Sequence, residues 1–268
     1  SRRRHTRYIS VTGVQTCALP IYPFVPDVTV NADGAEVPWE SVPTDELAAT
    51  PRHWELKPGA RWHDFSHVAP GYAITDPNKL TVLTPGFDRH TGAYAQHGVP
   101  APIVAQYLRE NRIVAEKNDL NSLLFLLTPG VESSKAGTLI SGLVAFKRLH
   151  DENAPLEEAM PEFVRRRPAR YAGVRLRDLC ADYHAFHREA NTSALQRKQF
   201  GPEHLPEMVM APKDAAQMLT RNHVDFVPIA EAEGRVATTL MLVYPPGIGT
   251  VLPGERRSEE HTSELQSH

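Results

Sequence analysis

The first half of the chain alternates between short β-branched runs and stretches in which apolar residues have helical spacing. Residues 79–84 form a β-branched run that ends at a Pro-Gly pair, which predicts a strand. The apolar residues of 99–111 recur on one helical face, with a proline tolerated in the first turn, and therefore predict a helix. Two further apolar runs, 113–115 and 123–127, predict strands on either side of a polar turn.

A longer helix is predicted to follow these strands. Ser133 or Ser134 is expected to cap its first turn, and its apolar stripe continues as far as His150. Residues 22–62 are rich in Pro, Asp and Thr and have weak periodicity, so they predict surface loops around one short element. The order strand, helix, strand, strand, helix predicts an α/β fold built on a small sheet.

A second block of elements is predicted from about residue 153 onwards. Its main helix, 175–189, is expected to bury an apolar stripe formed by Leu179, Cys180, Tyr183 and Phe186. The other predicted elements are one helix and two strands, at 213–220, 224–229 and 236–243. This block therefore predicts a smaller α+β domain.

Both ends of the chain resemble translated DNA-library adapter rather than protein sequence. Residues 257–268 match an in-frame reading of a common adapter, residues 11–21 match its reverse complement, and residues 1–7 match the primer that precedes it. Segments of this kind carry no folding information. We therefore predict four parts, namely adapter-derived residues 1–21, a linker and small α/β domain at 22–152, a C-terminal domain at 153–256, and adapter-derived residues 257–268.

Charge and cysteine content restrict the class of protein. The chain has 29 Lys and Arg against 32 Asp and Glu, a net charge of −3, which argues against a nucleic-acid-binding surface. Cys180 is the one cysteine outside the terminal segments, so no disulfide framework is expected, as in a reducing cytoplasm. No apolar run reaches the roughly 18 residues of a membrane span. We expect a cytoplasmic protein with no nucleic-acid or membrane partner.

Three groups of residues on the predicted helices have possible chemistry. His184 and His187 are three residues apart and could ligate a metal from one helical face, but no third ligand with supporting spacing is present, so no metal site is predicted. The arginines at 165–167 could bind an anionic effector or a neighbouring subunit, although a solvated charged run is the simpler interpretation. Cys180 lies on the apolar stripe and is predicted to be a core residue rather than a nucleophile.

The polar turn Glu116-Lys117-Asn118-Asp119 lies between two predicted strands. Clustered carboxylates in such a turn could recognise a cationic group of a ligand, because a charge-assisted hydrogen bond to an ammonium is strong when it is partly desolvated. The alternative interpretation is a solvent-exposed polar turn without a ligand.

Short motifs that extend from about Tyr22 to Arg256 carry the most specific information. They are Trp62-His63-Asp64-Phe65, Asp76-Pro77-Asn78-Lys79, Leu83-Thr84-Pro85-Gly86, Gly98-Val99-Pro100-Ala101, Tyr107-Leu108-Arg109-Glu110, the run from Val114 to Leu126, Tyr244-Pro245-Pro246-Gly247 and Pro253-Gly254-Glu255. In this order they resemble the bacterial ornithine/lysine/arginine decarboxylases. The version of the motif in residues 116–122 looks more like the ornithine branch of that family than the lysine branch.

The resemblance implies a fold type I, aminotransferase-like enzyme that binds pyridoxal 5'-phosphate (PLP) through a lysine and releases CO2 from a basic amino acid. In the family the cofactor lysine follows a histidine, whereas none of the seven lysines between residues 22 and 256 does. We therefore expect the cofactor lysine to lie upstream of Tyr22, so that this chain has no catalytic residue. By position, Glu116 and then Asp119 are the candidates for contact with the distal amine of the substrate.

Two functional hypotheses follow from these residues. The first is that the chain is an inactive piece of a homodimeric or larger decarboxylase, which acts on ornithine or, alternatively, on arginine or lysine. The piece would contain the small domain of the enzyme core and a truncated C-terminal domain. The second hypothesis is a non-catalytic regulatory or assembly module that binds a partner through the surface that a large domain would otherwise cover.

Overall fold

The computed structural model describes residues 22–23, 25–26, 28–60, 62–63, 65–199, 205–243 and 248–258. The chain divides into two compact units, Ser1–Ala190 and Asn191–His268. The terminal segments that resemble adapter sequence lie outside the described residues except for Arg257 and Ser258, and the predicted strand-ending turn at 244–247 also lies outside them.

The first unit contains a sheet, a separate hairpin and a series of helices. In chain order its strands and helices are β1 (Tyr22–Pro23), β2 (Val28–Val30), β3 (Glu36–Pro38), α1 (Thr44–Ala49), β4 (Lys79–Leu83), α2 (Ala101–Glu110), β5 (Lys117–Asn118), β6 (Ser122–Leu126), α3 (Ser133–Asp151), α4 (Leu156–Ala159), α5 (Pro161–Arg166), α6 (Pro168–Tyr171) and α7 (Leu176–Glu189). Short 3-10 helices lie at Trp39–Ser41 and Pro51–Trp54.

The sheet is antiparallel, with the strand order β1-β4-β6-β5. Strand β4 pairs with β6 from Lys79 opposite Leu126 to Leu83 opposite Ser122. Along β6, Leu123 and Phe125 are buried and alternate with more accessible neighbours, because successive side chains of a strand point to opposite faces. One face of the sheet therefore contributes to the core.

Helix α2 contributes buried residues to the same core. Ala101, Val104 and Leu108 are fully buried, and their spacing of three and four residues places them on one face of the helix. Pro100 precedes the helix, and a second proline lies in its first turn, where no intrahelical N–H donor is needed. Burying a leucine side chain such as that of Leu108 stabilises the fold by about 1.5–3 kcal/mol. The predicted helix at 99–111 and the predicted strands at 79–84 and 123–127 are confirmed, as is the mixed α/β organisation.

Two local predictions in this region are wrong. Residues 113–115 do not form a strand, and the strand begins only at Lys117. Helix α3 begins after Glu132, so neither serine holds the capping position, and the Glu132 side chain makes no capping hydrogen bond. The hydroxyl of Ser134 donates instead to a carboxylate oxygen of Glu132, at 3.4 Å.

The helices that follow residue 153 pack into the same core. Buried residues in and directly after α4, and in α7, belong to the hydrophobic cluster that α2, α3 and β6 also form, among them Leu156, Met160, Leu176 and Cys180. Burial raises the pKa of the Cys180 thiol to about 12, so this side chain stays protonated in the core. The division into compact units falls after Ala190, whereas the sequence suggested a boundary after Glu152.

Helix α7 spans the predicted residues but buries a different face. Its buried residues are Leu176, Cys180, His184 and His187. The predicted burial of Tyr183 and Phe186 is wrong, since they are 42% and 61% exposed. The helical stripe is rotated toward the two histidines, whose imidazoles lie against residues from a distant loop.

The second unit contains the helices α8 (Thr192–Gln199) and α9 (Pro212–Thr220) and the antiparallel strands β7 (Met241–Val243) and β8 (Ile248–Val251). The predicted helix at 213–220 is confirmed. The predicted strand at 224–229 is wrong, since the regular structure there is a 3-10 helix at Ile229–Glu231. Of the strand predicted at 236–243 only Met241–Val243 forms. Val236 makes an isolated bridge to Arg256. Among the described residues, no helix combines the length and apolar character that crossing a membrane would require.

Candidate functional site

The two candidate carboxylates lie at opposite ends of β5, in a segment that we call the carboxylate turn (residues 116–122). The backbone N–H of Glu116 donates to the carbonyl of Leu124 at 2.8 Å, and that of Asp119 donates to the carbonyl of Ser122 at 2.9 Å. Both side chains are exposed. Glu116 and Asp119 are therefore both accessible, one on each side of the two-residue strand β5.

Asn121 fixes the end of the carboxylate turn. Its side chain is buried, and its amide donates a hydrogen bond of 3.1 Å to the hydroxyl of Tyr94. Its backbone carbonyl accepts hydrogen bonds from the N–H and the hydroxyl of Thr84, at 2.9 Å and 3.2 Å. These bonds tie the turn to the end of β4 and to the loop that follows it.

The loop between β4 and α2 (residues 84–100) holds Tyr94 against helix α7. The Tyr94 ring lies edge-on to His184, with centroids 5.6 Å apart, and parallel to His187 at 6.1 Å. The Nε2–H of His184 donates to the carbonyl of Ala95 at 2.9 Å, which fixes the tautomer of that imidazole. We refer to Tyr94, Asn121, His184 and His187 as the Tyr94 cluster.

Two glycines in this loop make room for His184. A Cβ at Gly98 would lie 2.3 Å from Cε1 of His184, and a Cβ at Gly86 would lie 2.8 Å from the same atom. Gly86 also has a φ of +100°, which side-chain-bearing residues rarely adopt. The glycines of the Pro-Gly and Gly-Val-Pro motifs thus leave space for the imidazole of His184.

His187 is kept in its neutral form by its surroundings. Burial lowers the pKa of His187 first, the neighbouring His184 lowers it further, and the negative charge of Asp119 acts in the opposite direction. His184 and His187 share one helical face, as their spacing predicted, and this face is buried. Among the described residues no group of three metal-ligating side chains is present. The imidazoles pack on aromatic rings instead.

The lysines do not fit the role of a PLP anchor. An anchor amine is activated by desolvation or by a neighbouring cation, whereas five of the seven lysines between residues 22 and 256 are exposed and two are partly buried. The Lys79 ammonium pairs with Asp76 at 3.7 Å, and the Lys135 ammonium donates to the carbonyl of Gly130 at 3.0 Å. Lys147 pairs with Asp151 one helical turn away.

A second accessible feature is an open cavity of about 430 Å³, lined by Phe65, Ser66, His67, Val68, Tyr72 and Ala73. Its lining includes neither candidate carboxylate, so it is separate from the carboxylate turn. Sequence reasoning identified Glu116, Asp119, His184 and His187 but missed Tyr94, which contacts Asn121 of the carboxylate turn and both histidines. An isolated tyrosine in a loop gives no periodic or motif signal.

The comparisons with known proteins match both units of the chain. Residues 13–135 match the family model described as the major domain of Orn/Lys/Arg decarboxylase, and residues 193–266 match its C-terminal domain. The inducible ornithine decarboxylase of Escherichia coli is 42% identical over 235 residues, which is 88% of this chain and 31% of that protein. A lysine decarboxylase of Pseudomonas aeruginosa is 39% identical over 222 residues, 83% of this chain and 29% of that protein.

A solved structure shares the fold. The constitutive lysine decarboxylase of Escherichia coli superposes with a TM-score of 0.71 at 35% identity, covering 80% of this chain and 30% of that one. The predicted fold class is confirmed by this match and by the two domain models. The chain spans about a third of the length of the relatives that it matches, and it belongs to the Orn/Lys/Arg decarboxylase family.

Proposed function

We propose that this chain is part of a PLP-dependent decarboxylase that converts a basic amino acid, ornithine in the first place, to its amine and CO2. The observation that carries the proposal is the pair of family matches, major domain and then C-terminal domain, in one chain. Relatives named ornithine decarboxylase and lysine decarboxylase both match, and the description of the family also names arginine, so lysine and arginine are the alternative substrates. A cytoplasmic location stays a prediction from the cysteine content, and a homo-oligomeric state stays a prediction from the family resemblance.

The carboxylate turn would recognise the distal ammonium of the substrate. Glu116 and Asp119 are exposed at the two ends of β5, and a carboxylate binds an ammonium by a charge-assisted hydrogen bond. When bound, PLP supplies an electron sink for the loss of CO2. Because the lysines of residues 22–256 do not fit as its anchor, we propose that the anchor lies in sequence upstream of Tyr22, and that this chain alone is inactive.

Reduction with borohydride tests the assignment of the anchor. PLP would be added to the purified chain and to a longer polypeptide that contains the upstream sequence, and both would be reduced and analysed by peptide mass spectrometry. We expect one stoichiometrically modified lysine in the longer protein, outside residues 22–256. A stoichiometric modification of any one of the seven lysines of this chain would contradict the proposal.

Replacing Glu116 by glutamine in the full-length enzyme is expected to raise KM for ornithine about tenfold or more, because the neutral amide loses the charge-assisted bond to the substrate ammonium. Steady-state kinetics measure the change. Glu158→Gln is the matched control, since this carboxylate is also exposed and lies on α4 rather than on the turn. An unchanged KM for the Glu116 variant would remove Glu116 from the binding site.

A further inference from the structure

Tyr94 links the carboxylate turn to two buried imidazoles that the proposed chemistry does not use. Its hydroxyl accepts the side-chain N–H of Asn121 at 3.1 Å, and Asn121 is two residues after Asp119. Its ring packs parallel to the His187 imidazole, with centroids 6.1 Å apart. One aromatic side chain therefore contacts both the turn and helix α7.

The turn itself holds the Asp119 carboxylate in a defined direction. Oδ1 of Asp119 accepts the N–H of Leu120 at 2.7 Å, and the carbonyl of Leu120 accepts the N–H of Ala101 at the start of α2 at 3.0 Å. Asn121 is anchored through its carbonyl on Thr84, directly after β4. A side chain whose direction is set in advance loses less conformational freedom when a ligand binds.

We propose that Tyr94 and His187 are positioning residues for Asp119, and that they make its availability to a cationic substrate depend on pH. The proposal rests on the proposed function, in which the carboxylate turn receives the ammonium of a basic amino acid. Tyr94 acts through its bond to Asn121, and His187 acts through its charge. Neither residue needs to touch the substrate.

The direction of the pH effect follows from the groups around His187. They are His184 and Tyr183 on its own helix, Tyr94 on the loop and Asp119 on the turn. Burial lowers the pKa of His187 below its ordinary 6.5, so the imidazole is neutral at pH 7 and takes up a proton only as the pH falls further. A protonated His187 has Asp119 as its compensating charge, so it competes with the substrate ammonium for that carboxylate.

Imidazole NMR on the chain tests the coupling without any assay of activity. Titration of His187 should give a pKa below that of an ordinary histidine, and Asp119→Asn should lower it further because a neighbouring negative charge is lost. Glu116→Gln is the matched control on the same turn and should leave the pKa of His187 unchanged. A titration of His187 that is identical in wild type and Asp119→Asn would overturn the proposal.

Steady-state kinetics of the full-length decarboxylase test the expected effect on KM and on its pH dependence. Tyr94→Phe removes only the hydroxyl and is expected to raise KM for ornithine about threefold to tenfold with kcat retained, as expected for the loss of one positioning hydrogen bond. In the wild type KM should rise as the pH falls below the range in which His187 is neutral. His187→Gln cannot titrate and should flatten that rise, whereas the control His150→Gln, on α3, should preserve it.

The outcomes separate this inference from the proposed function. A full-length protein that releases no CO2 from ornithine, lysine or arginine overturns the proposed function, while the NMR titration still tests the coupling. An active enzyme in which His187→Gln keeps the wild-type pH dependence of KM, or in which Tyr94→Phe keeps the wild-type KM, overturns the inference alone.

Discussion

Replacing Phe146 with alanine is expected to lower the free energy of unfolding of the first unit by about 3–5 kcal/mol, the cost of deleting a phenylalanine from a packed core. Phe146 is fully buried, and its ring packs edge-on against Tyr107 with centroids 5.2 Å apart. Helices α2 and α3 meet at this contact, so the cavity left by alanine would lie between them. Urea unfolding followed by circular dichroism measures the loss.

Ile140→Ala is the control for Phe146→Ala on the same helix. Ile140 is 42% exposed, so truncation removes little buried apolar area and should change stability by much less. Equal losses for the two variants would contradict the core assignment of α3.

Replacing Gly86 with alanine is expected to cost about 2–5 kcal/mol, from backbone strain at positive φ together with steric overlap. The new Cβ would lie 2.4 Å from Cα of Gly98 and 2.6 Å from the carbonyl oxygen of His97. Both are backbone atoms that cannot rotate away, so the loop carrying Tyr94 must shift. Thermal unfolding measures the loss of stability, and the NMR signal of His184 reports the displaced loop.

The control for Gly86→Ala is Gly137→Ala, in helix α3. A Cβ at Gly137 meets no atom within 4 Å, and alanine is a better helix former than glycine by about 0.5–1 kcal/mol. This variant should be slightly stabilised. A Gly86 variant with wild-type stability would contradict the close approach of Gly86 to Gly98 and His184.

Local sequence patterns predicted the elements whose partners are near in sequence or whose apolar spacing is regular. Helix α2 has apolar residues at helical spacing, and β6 has a continuous apolar run, so both were identified from the pattern alone. The carboxylate turn was identified because polar residues lie between such runs. These signals are read within a window of a few residues, and tertiary contacts reinforce them.

Helix α7 shows why the rest could not be predicted. Tyr183 and Phe186 are more apolar than His184 and His187, so hydrophobicity alone places the wrong side of the helix in the core. His184 becomes buried because its imidazole donates to the carbonyl of Ala95, which is 89 residues earlier in the chain. Gly86 and Gly98 leave the space for that ring, and a pattern within the helix carries no information about them.

The Tyr94 cluster was missed for the same physical reason. Its hydrogen bond to Asn121 joins residues 27 positions apart, and its ring contacts join a loop to a helix from the other half of the unit. The sequence therefore predicts which carboxylates are available, and the structure adds how one of them is held.

Release of CO2 from ornithine is the measurement that tests the central claim most directly, with the purified chain and the full-length protein assayed side by side in the presence of PLP. The chain has no buried lysine among residues 22–256 to anchor the cofactor, so we expect CO2 from the full-length protein and none above the protein-free blank from the chain. Sustained CO2 release by the chain alone would contradict the account.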